Sequence, residues 1–299
     1  MIGTGIAVNC MLHGYHVTLQ TRSEVGRVHK EIDRILKLFQ QEGVAALEQC
    51  EAASGLYTVT TDIAEAVFDA DLVQEAGPED LALKRALLGQ IETNAPAGAY
   101  LTSTSSRHTC GELQEGMLYP ERFVCAHPWH PSYLLPLVEI MGSDRTSPET
   151  VAAVKAFFDG IGKETVICRK DISGYVSNEI SWAVMRIAKQ YVANGVCSAE
   201  DMDRALMFGP GLRLAVTGQL LTIDLGTQGG LKNYAAKYNR EPEPDIAVIT
   251  DSIAEEMNCR PETEGRDWDS ISAYRDKMII RFLREKEVVR TGREKGEKK

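Results

Sequence analysis

The stretch HPWHPSYLLPLVE sets an imidazole, His127, and a carboxylate, Glu139, twelve residues apart in an apolar run. Histidine titrates near neutral pH and a nearby carboxylate steadies its cation, so such a pair could exchange a proton. If the run is extended, Leu135, Leu137 and Glu139 share one side and Pro136, Val138 and Ile140 the other. A buried glutamate is costly unless a partner compensates it. Local pattern leaves two readings: an edge strand with Glu139 in water and His127 an ordinary turn histidine, or a desolvated pair.

The elements that must position these residues alternate. Short β-branched or apolar runs occur at 16–20, 70–76, 99–105, 122–128, 136–141 and 164–168, with amphipathic helical stretches at 24–43, 80–94 and 147–162 between them. Strands alternating with helices predict an α/β fold, a doubly wound, Rossmann-type and mostly parallel sheet. Beyond KDISGYVSN the strand signals stop. Ile180, Val184, Ile187 and Tyr191 share one helical face, and Ser198 with Asp201 has capping-box spacing. The expected domains are therefore 1–172, dinucleotide-binding, and 173–299, all-α, with roughly 110 residues of helical core region. The charged segment from Arg284 to Lys299 reads as a frayed tail.

Composition narrows the function classes. With 33 Lys+Arg against 43 Asp+Glu, a net charge of −10 offers no field for a phosphate backbone, so nucleic acid is not an expected partner. Seven cysteines without CxxC spacing predict free thiols, no metal site and a reducing, cytoplasmic location. No apolar run approaches a membrane span.

The opening MIGTGIAVNCMLHGYHVTLQTRS reads as the end of a glycine-rich turn, a helix and a strand. Gly3 can be the last glycine of a dinucleotide fingerprint whose first strand and earlier glycines are missing from this chain, leaving open a misplaced start or a genuine loss. Where an NAD site usually has an acidic residue after the next strand, this chain has Thr21, Arg22 and Ser23, which could donate to a 2′-phosphate. NAD and NADP both remain open.

The His127–Glu139 spacing, STSS at 103–106, GYVSN at 174–178, AHPWHPSYLLPLVEI and NGVCSAEDMDRALMFGPGLRLA together resemble the L-3-hydroxyacyl-CoA dehydrogenase family. The resemblance is strongest to members acting on free 3-hydroxy acids, such as L-gulonate 3-dehydrogenase of the lambda-crystallin type and L-carnitine dehydrogenase. It implies His127 as general base, Glu139 as its partner, and Ser105 and Asn178 as groups near the reacting oxygen. Glu79, Lys84, Ser105 and His130 match positions lining the cofactor site, although a solvated helix start explains Glu79 and Lys84 equally well. Trp129 and His130 depart from the family, which generally has a smaller or apolar residue and then an Asn. Trp129 could line the substrate pocket or cap the core.

Between Leu38 and Leu83 the chain has no Lys or Arg, which disfavours the phosphates of coenzyme A. Arg213, in GPGLRLA, could clamp a carboxylate from a glycine-loosened turn, or serve as a cap or interface arginine. The expected function is oxidation of the 3-hydroxyl of a small hydroxy acid with NAD(P). The alternatives are a short-chain 3-hydroxyacyl-CoA dehydrogenase of fatty acid metabolism, acting on an acyl thioester, and a non-catalytic homologue. Apolar residues in LAVTGQLLTIDLG and the family resemblance suggest a homodimer. Trp129 and Tyr133 could cradle a quaternary ammonium.

Overall fold

From Ile2 to Cys168, strands and helices are interleaved along the chain. The computed structural model describes residues 2–22, 24–238, 241 and 244–286. Ser23 and tail residues 287–299 lie outside the described residues, while Arg284 and Glu285 close the last helix. The strands are β1 (Val17–Gln20), β2 (Tyr57–Thr60), β3 (Leu72–Glu75), β4 (Tyr100–Ser103), β5 (Phe123–Pro128), β6 (Leu137–Met141) and β7 (Glu164–Cys168). Interleaved helices are α1 (Ile2–Leu12), α2 (Val25–Gln41), α3 (Leu47–Ser54), α4 (Ile63–Val67), α5 (Leu81–Asn94), α6 (Cys110–Leu113) and α7 (Pro148–Gly160).

Local chemistry sets several of these boundaries. Asp80 and Ser147 accept from the backbone N–H of Leu83 and Thr150, capping α5 and α7, and Pro148 fills the first helical position of α7. In α2 the apolar face Ile32, Ile35, Leu36 and Phe39 is buried, at the spacing expected of a helix packed on one side. β2 escapes the apolar-run pattern because it is only four residues, Tyr-Thr-Val-Thr, and none of them is buried.

The strands form two sheets, β1–β2 and β3–β4–β5–β6–β7. Every pairing is parallel except β5–β6. In the doubly wound order 3-2-1-4-5-6, the β2–β1 pair and the β3–β4–β5 run are the two flanks of the first strand's place. The antiparallel β5–β6 pairing places His127 directly opposite Glu139 in the ladder. β6 also pairs with β7, so it is not an edge strand, and Glu139 is 1% exposed. The edge-strand reading of Glu139 is thereby overturned.

By internal contacts the chain divides into 1–183 and 184–299, a division that falls within α8 (Val176–Ala193). The remaining helices are α9 (Ala199–Phe208), α10 (Pro210–Thr217), α11 (Gln219–Leu225), α12 (Tyr234–Lys237), α13 (Ile246–Cys259) and α14 (Trp268–Glu285). Ser198 caps α9 by accepting from the N–H of Asp201. The core of this second unit is centred on Leu221, Leu231, Ile253 and Ile271. Of the segment LAVTGQLLTIDLG, Leu221 joins that core whereas Leu214 and Leu220 are exposed.

Candidate active site

The ladder pairing sets the first contact. Residues directly opposite in an antiparallel pair project from the same face, and His127 Nδ1 lies 3.1 Å from Glu139 Oε2. Both side chains are buried. Tyr175, itself fully buried, stacks on the imidazole with ring centroids 4.5 Å apart, which keeps water from that face. Tyr175 has φ 57 and follows Gly174 at φ 91, so two left-handed residues turn the chain into α8. That turn points the start of α8 at Glu139. The Ser177 N–H donates to Glu139 Oε1 at 3.0 Å, and the Ser177 hydroxyl donates to Oε2. Burial pushes the Glu139 carboxyl up, but the hydrogen bonds from His127 and Ser177 outweigh it and hold the group below the ordinary glutamate value.

A second cluster forms where β3 and β4 end. Ser105 is buried; its hydroxyl donates to Glu79 and accepts from the His108 N–H at 3.1 Å. Glu79 also accepts from the N–H groups of Ser106 and Arg107, each at 3.2 Å. Asn178, in the first turn of α8, donates to the Ser106 carbonyl at 3.2 Å. Ser105, Glu79 and Asn178 therefore converge on one loop, and the single hydroxyl proton of Ser105 is directed at Glu79.

Lys84 corrects the picture of a solvated helix start. It is fully buried, and its Nζ reaches Glu75 Oε2 at 3.0 Å, the Gly77 carbonyl at 3.2 Å and Glu79 Oε2 at 3.7 Å. Glu75 in turn accepts from the Ser103 hydroxyl at 2.6 Å. Lys84 thus braces the loop after β3 from beneath and presents no charge to an open site.

The other expected residues fall as follows. Trp129 is half-buried, and its indole N–H donates to the Ser177 hydroxyl at 2.5 Å. His130 is exposed. Tyr133 packs on Phe39 and beneath the Arg34 guanidinium rather than beside Trp129, so the two aromatics do not form a cage. Arg213 is exposed on α10 of the second unit, in a helix and not in the glycine-loosened turn expected for it. Sequence reasoning missed Ser177, whose only signal was its place beside Asn178 in GYVSN.

Next to Glu79 opens a cavity of about 610 Å³ lined by Glu79, Asp80, Arg107, Glu112 and Trp182 among others. Three carboxylates against one guanidinium make its wall acidic.

The residues present fit a nicotinamide dinucleotide. A Cβ on Gly3 would lie 3.3 Å from the Ala76 Cβ, a tight contact, and one on Gly5 would lie 2.3 Å from Ser132 Oγ, so α1 seats close against the loops after β3 and β5, with no room for a side chain at Gly5 unless Ser132 moves. Thr21 and the exposed Arg22 follow β1, while Glu79 and Ser105 follow β3 and β4. These are carboxyl ends of parallel strands, the edge at which doubly wound sheets bind nucleotides. Fold and site together define a nucleotide-dependent dehydrogenase.

Comparison with known proteins gives the family. Residues 1–172 match the model described as 3-hydroxyacyl-CoA dehydrogenase, NAD binding domain, and residues 174–265 match the corresponding C-terminal domain. The chain belongs to the 3-hydroxyacyl-CoA dehydrogenase family, and its cofactor is NAD. It is 33% identical to an L-carnitine dehydrogenase of Streptomyces griseus over 95% of this chain and 87% of that protein. It is 30% identical to an L-carnitine dehydrogenase of Streptomyces coelicolor, over 95% and 91% respectively. Among solved structures, a 3-hydroxyacyl-CoA dehydrogenase from Archaeoglobus fulgidus superposes with a TM-score of 0.68 at 25% identity, covering 97% of this chain and 96% of the other.

Proposed function

We propose that this enzyme oxidises the 3-hydroxyl of a small free hydroxy acid carrying a cationic end, of the L-carnitine kind, with His127 as the general base. The buried His127–Glu139 pair carries this reading. Glu139 is an acceptor, so His127 donates through Nδ1 and leaves Nε2 to take the hydroxyl proton. A carboxylate held ionised in a dry pocket stabilises the imidazolium that results. General-base catalysis of this kind is worth about 10²- to 10⁴-fold in rate. When bound, NAD accepts the hydride leaving the same carbon. Ser105 and Asn178 fix the loop at 105–107 against Glu79 and α8, holding the wall of the site.

The acidic cavity beside Glu79 supports a cationic substrate, and the indole of Trp182 supplies a face on which a quaternary ammonium can rest. It disfavours coenzyme A, as does the absence of Lys and Arg from Leu38 to Leu83. Initial rates with L-carnitine, 3-hydroxybutyrate and 3-hydroxybutyryl-CoA, each with NAD and NADP, test the assignment. The highest kcat/KM is expected for L-carnitine; a preference for the thioester would replace the reading with a short-chain acyl-CoA dehydrogenase. Arg22, exposed after β1, is the group that would admit NADP as well.

We also assign the enzyme to a homodimer in a reducing cytoplasm. The exposed Ile180, Val184, Ile187 and Tyr191 line one face of α8, an apolar stripe suited to a second copy. Its cysteines are free thiols. Sedimentation of wild type against Ile187→Glu tests the dimer: a shift of the variant to monomer is expected, and a monomeric wild type would contradict it.

A further inference from the structure

We infer that Ser177 and Trp129 are positioning residues that orient the His127–Glu139 pair through one directional chain of hydrogen bonds. The inference rests on His127 being the base. Its starting point is an indole, which can only donate. Trp129 Nε1–H donates to Ser177 Oγ, so the one proton of that hydroxyl is released toward Glu139. Glu139 then receives three donors: the Ser177 N–H on Oε1, and the Ser177 hydroxyl and His127 Nδ1–H on Oε2. Every proton in the chain runs toward the carboxylate. Turning the Ser177 hydroxyl back would set it against the indole donor, and the other imidazole tautomer would set a lone pair against the carboxylate, so the imidazole is held in the tautomer whose Nε2 is a base.

The two positioning residues come from different elements, Trp129 from the loop after β5 and Ser177 from the first turn of α8. The positive end of the α8 dipole adds to the field that keeps Glu139 ionised. The other titratable groups packed here are Cys125 on β5, Cys168 at the end of β7 and Tyr175 in the turn before α8, all of which are buried and uncharged. None can replace Ser177 as a donor of fixed direction.

The test combines the pH dependence of kcat/KM for L-carnitine oxidation with the His127 titration followed by ¹⁵N NMR on the cofactor-free protein. In Ser177→Ala the carboxylate loses a charge-assisted hydrogen bond and becomes a stronger acceptor. Both the acidic limb and the NMR midpoint should move up by about one pH unit. Trp129→Phe keeps the ring and removes only the N–H, so it should shift both in the same direction by less. Ser177→Thr retains the hydroxyl and should restore the wild-type profile. Wild-type profiles in both Ser177→Ala and Trp129→Phe, with His127→Ala inactive, would overturn the inference and leave the base assignment intact. An active His127→Ala would overturn the base assignment itself.

Discussion

Every residue of β5 from Phe123 to Pro128 is buried, whereas no residue of β1 or β2 is, and Gln20 and Arg22 at the end of β1 are exposed. The two regions lie in one nucleotide-binding unit but answer different physical demands. An imidazole that must take a proton from an alcohol gains from a dry, fixed partner, and interior strands paired on both sides supply one. A nucleotide's ribose and phosphates are read by donors that reach solvent, at strand ends and helix starts. On the proposed function, proton handling is built into the sheet and cofactor selection is left to its rim.

The largest effect that sharpens this contrast should come from the interior. Replacing Lys84 with Ala leaves Glu75 buried without its cation, and the cost is expected at about 3–5 kcal/mol in chemical unfolding. A change below 1 kcal/mol would show that Lys84 is not the brace described here. Glu139→Gln keeps the shape of the site and removes its charge, so kcat/KM should fall by about 10²-fold or more. Because the Glu139 carboxyl is held below its ordinary value, its contribution to stability is full above the unfolded carboxylate range and is lost as pH falls through the folded value. Acid unfolding of Glu139→Gln should lack that component; identical acid transitions for wild type and variant would deny it.

At the rim the effects are smaller. Arg22→Ala should lower the NADP-to-NAD ratio of kcat/KM by about tenfold, the equivalent of one charge-assisted contact, with kcat for NAD unchanged. An unaltered ratio would remove Arg22 from the cofactor site. The smallest expected effect is a slope. Burial lowers the Lys163 amine to about 8 while it donates to the Ser132 and Leu135 carbonyls. Above that value the unfolded chain binds the extra proton. Stability of wild type relative to Lys163→Met should therefore rise between pH 8 and the ordinary lysine range. A flat difference would place this amine in water.

Much of this architecture could be read from the chain. The six apolar runs became six of the seven strands among the described residues, and the three amphipathic stretches became α2, α5 and α7. Periodicity is a local property, and α2, α5, α7, β4, β5 and β6 bury apolar residues that it marks. What was not legible depends on contacts distant in sequence. The meaning of the His127–Glu139 spacing emerges only when β5 and β6 pair antiparallel, because a register is set by the whole ladder. Lys84 looks like a surface lysine until Glu75, nine positions earlier, is found beneath it. Ser177 carries no mark of its role because a serine at a helix start is commonplace, and its partner Trp129 is 48 residues away. Arg213 was expected in a turn on account of its neighbouring glycines, yet Pro210 opens a helix there and fits its first position.

If one dry imidazole, paired with Glu139, takes the substrate proton, its removal should stop turnover without loosening the cofactor. Steady-state oxidation by His127→Ala, with NADH affinity measured in parallel by fluorescence, tests it most directly. A loss of at least about 10²-fold in kcat/KM with NADH affinity unchanged is expected. Wild-type turnover by that variant would contradict it.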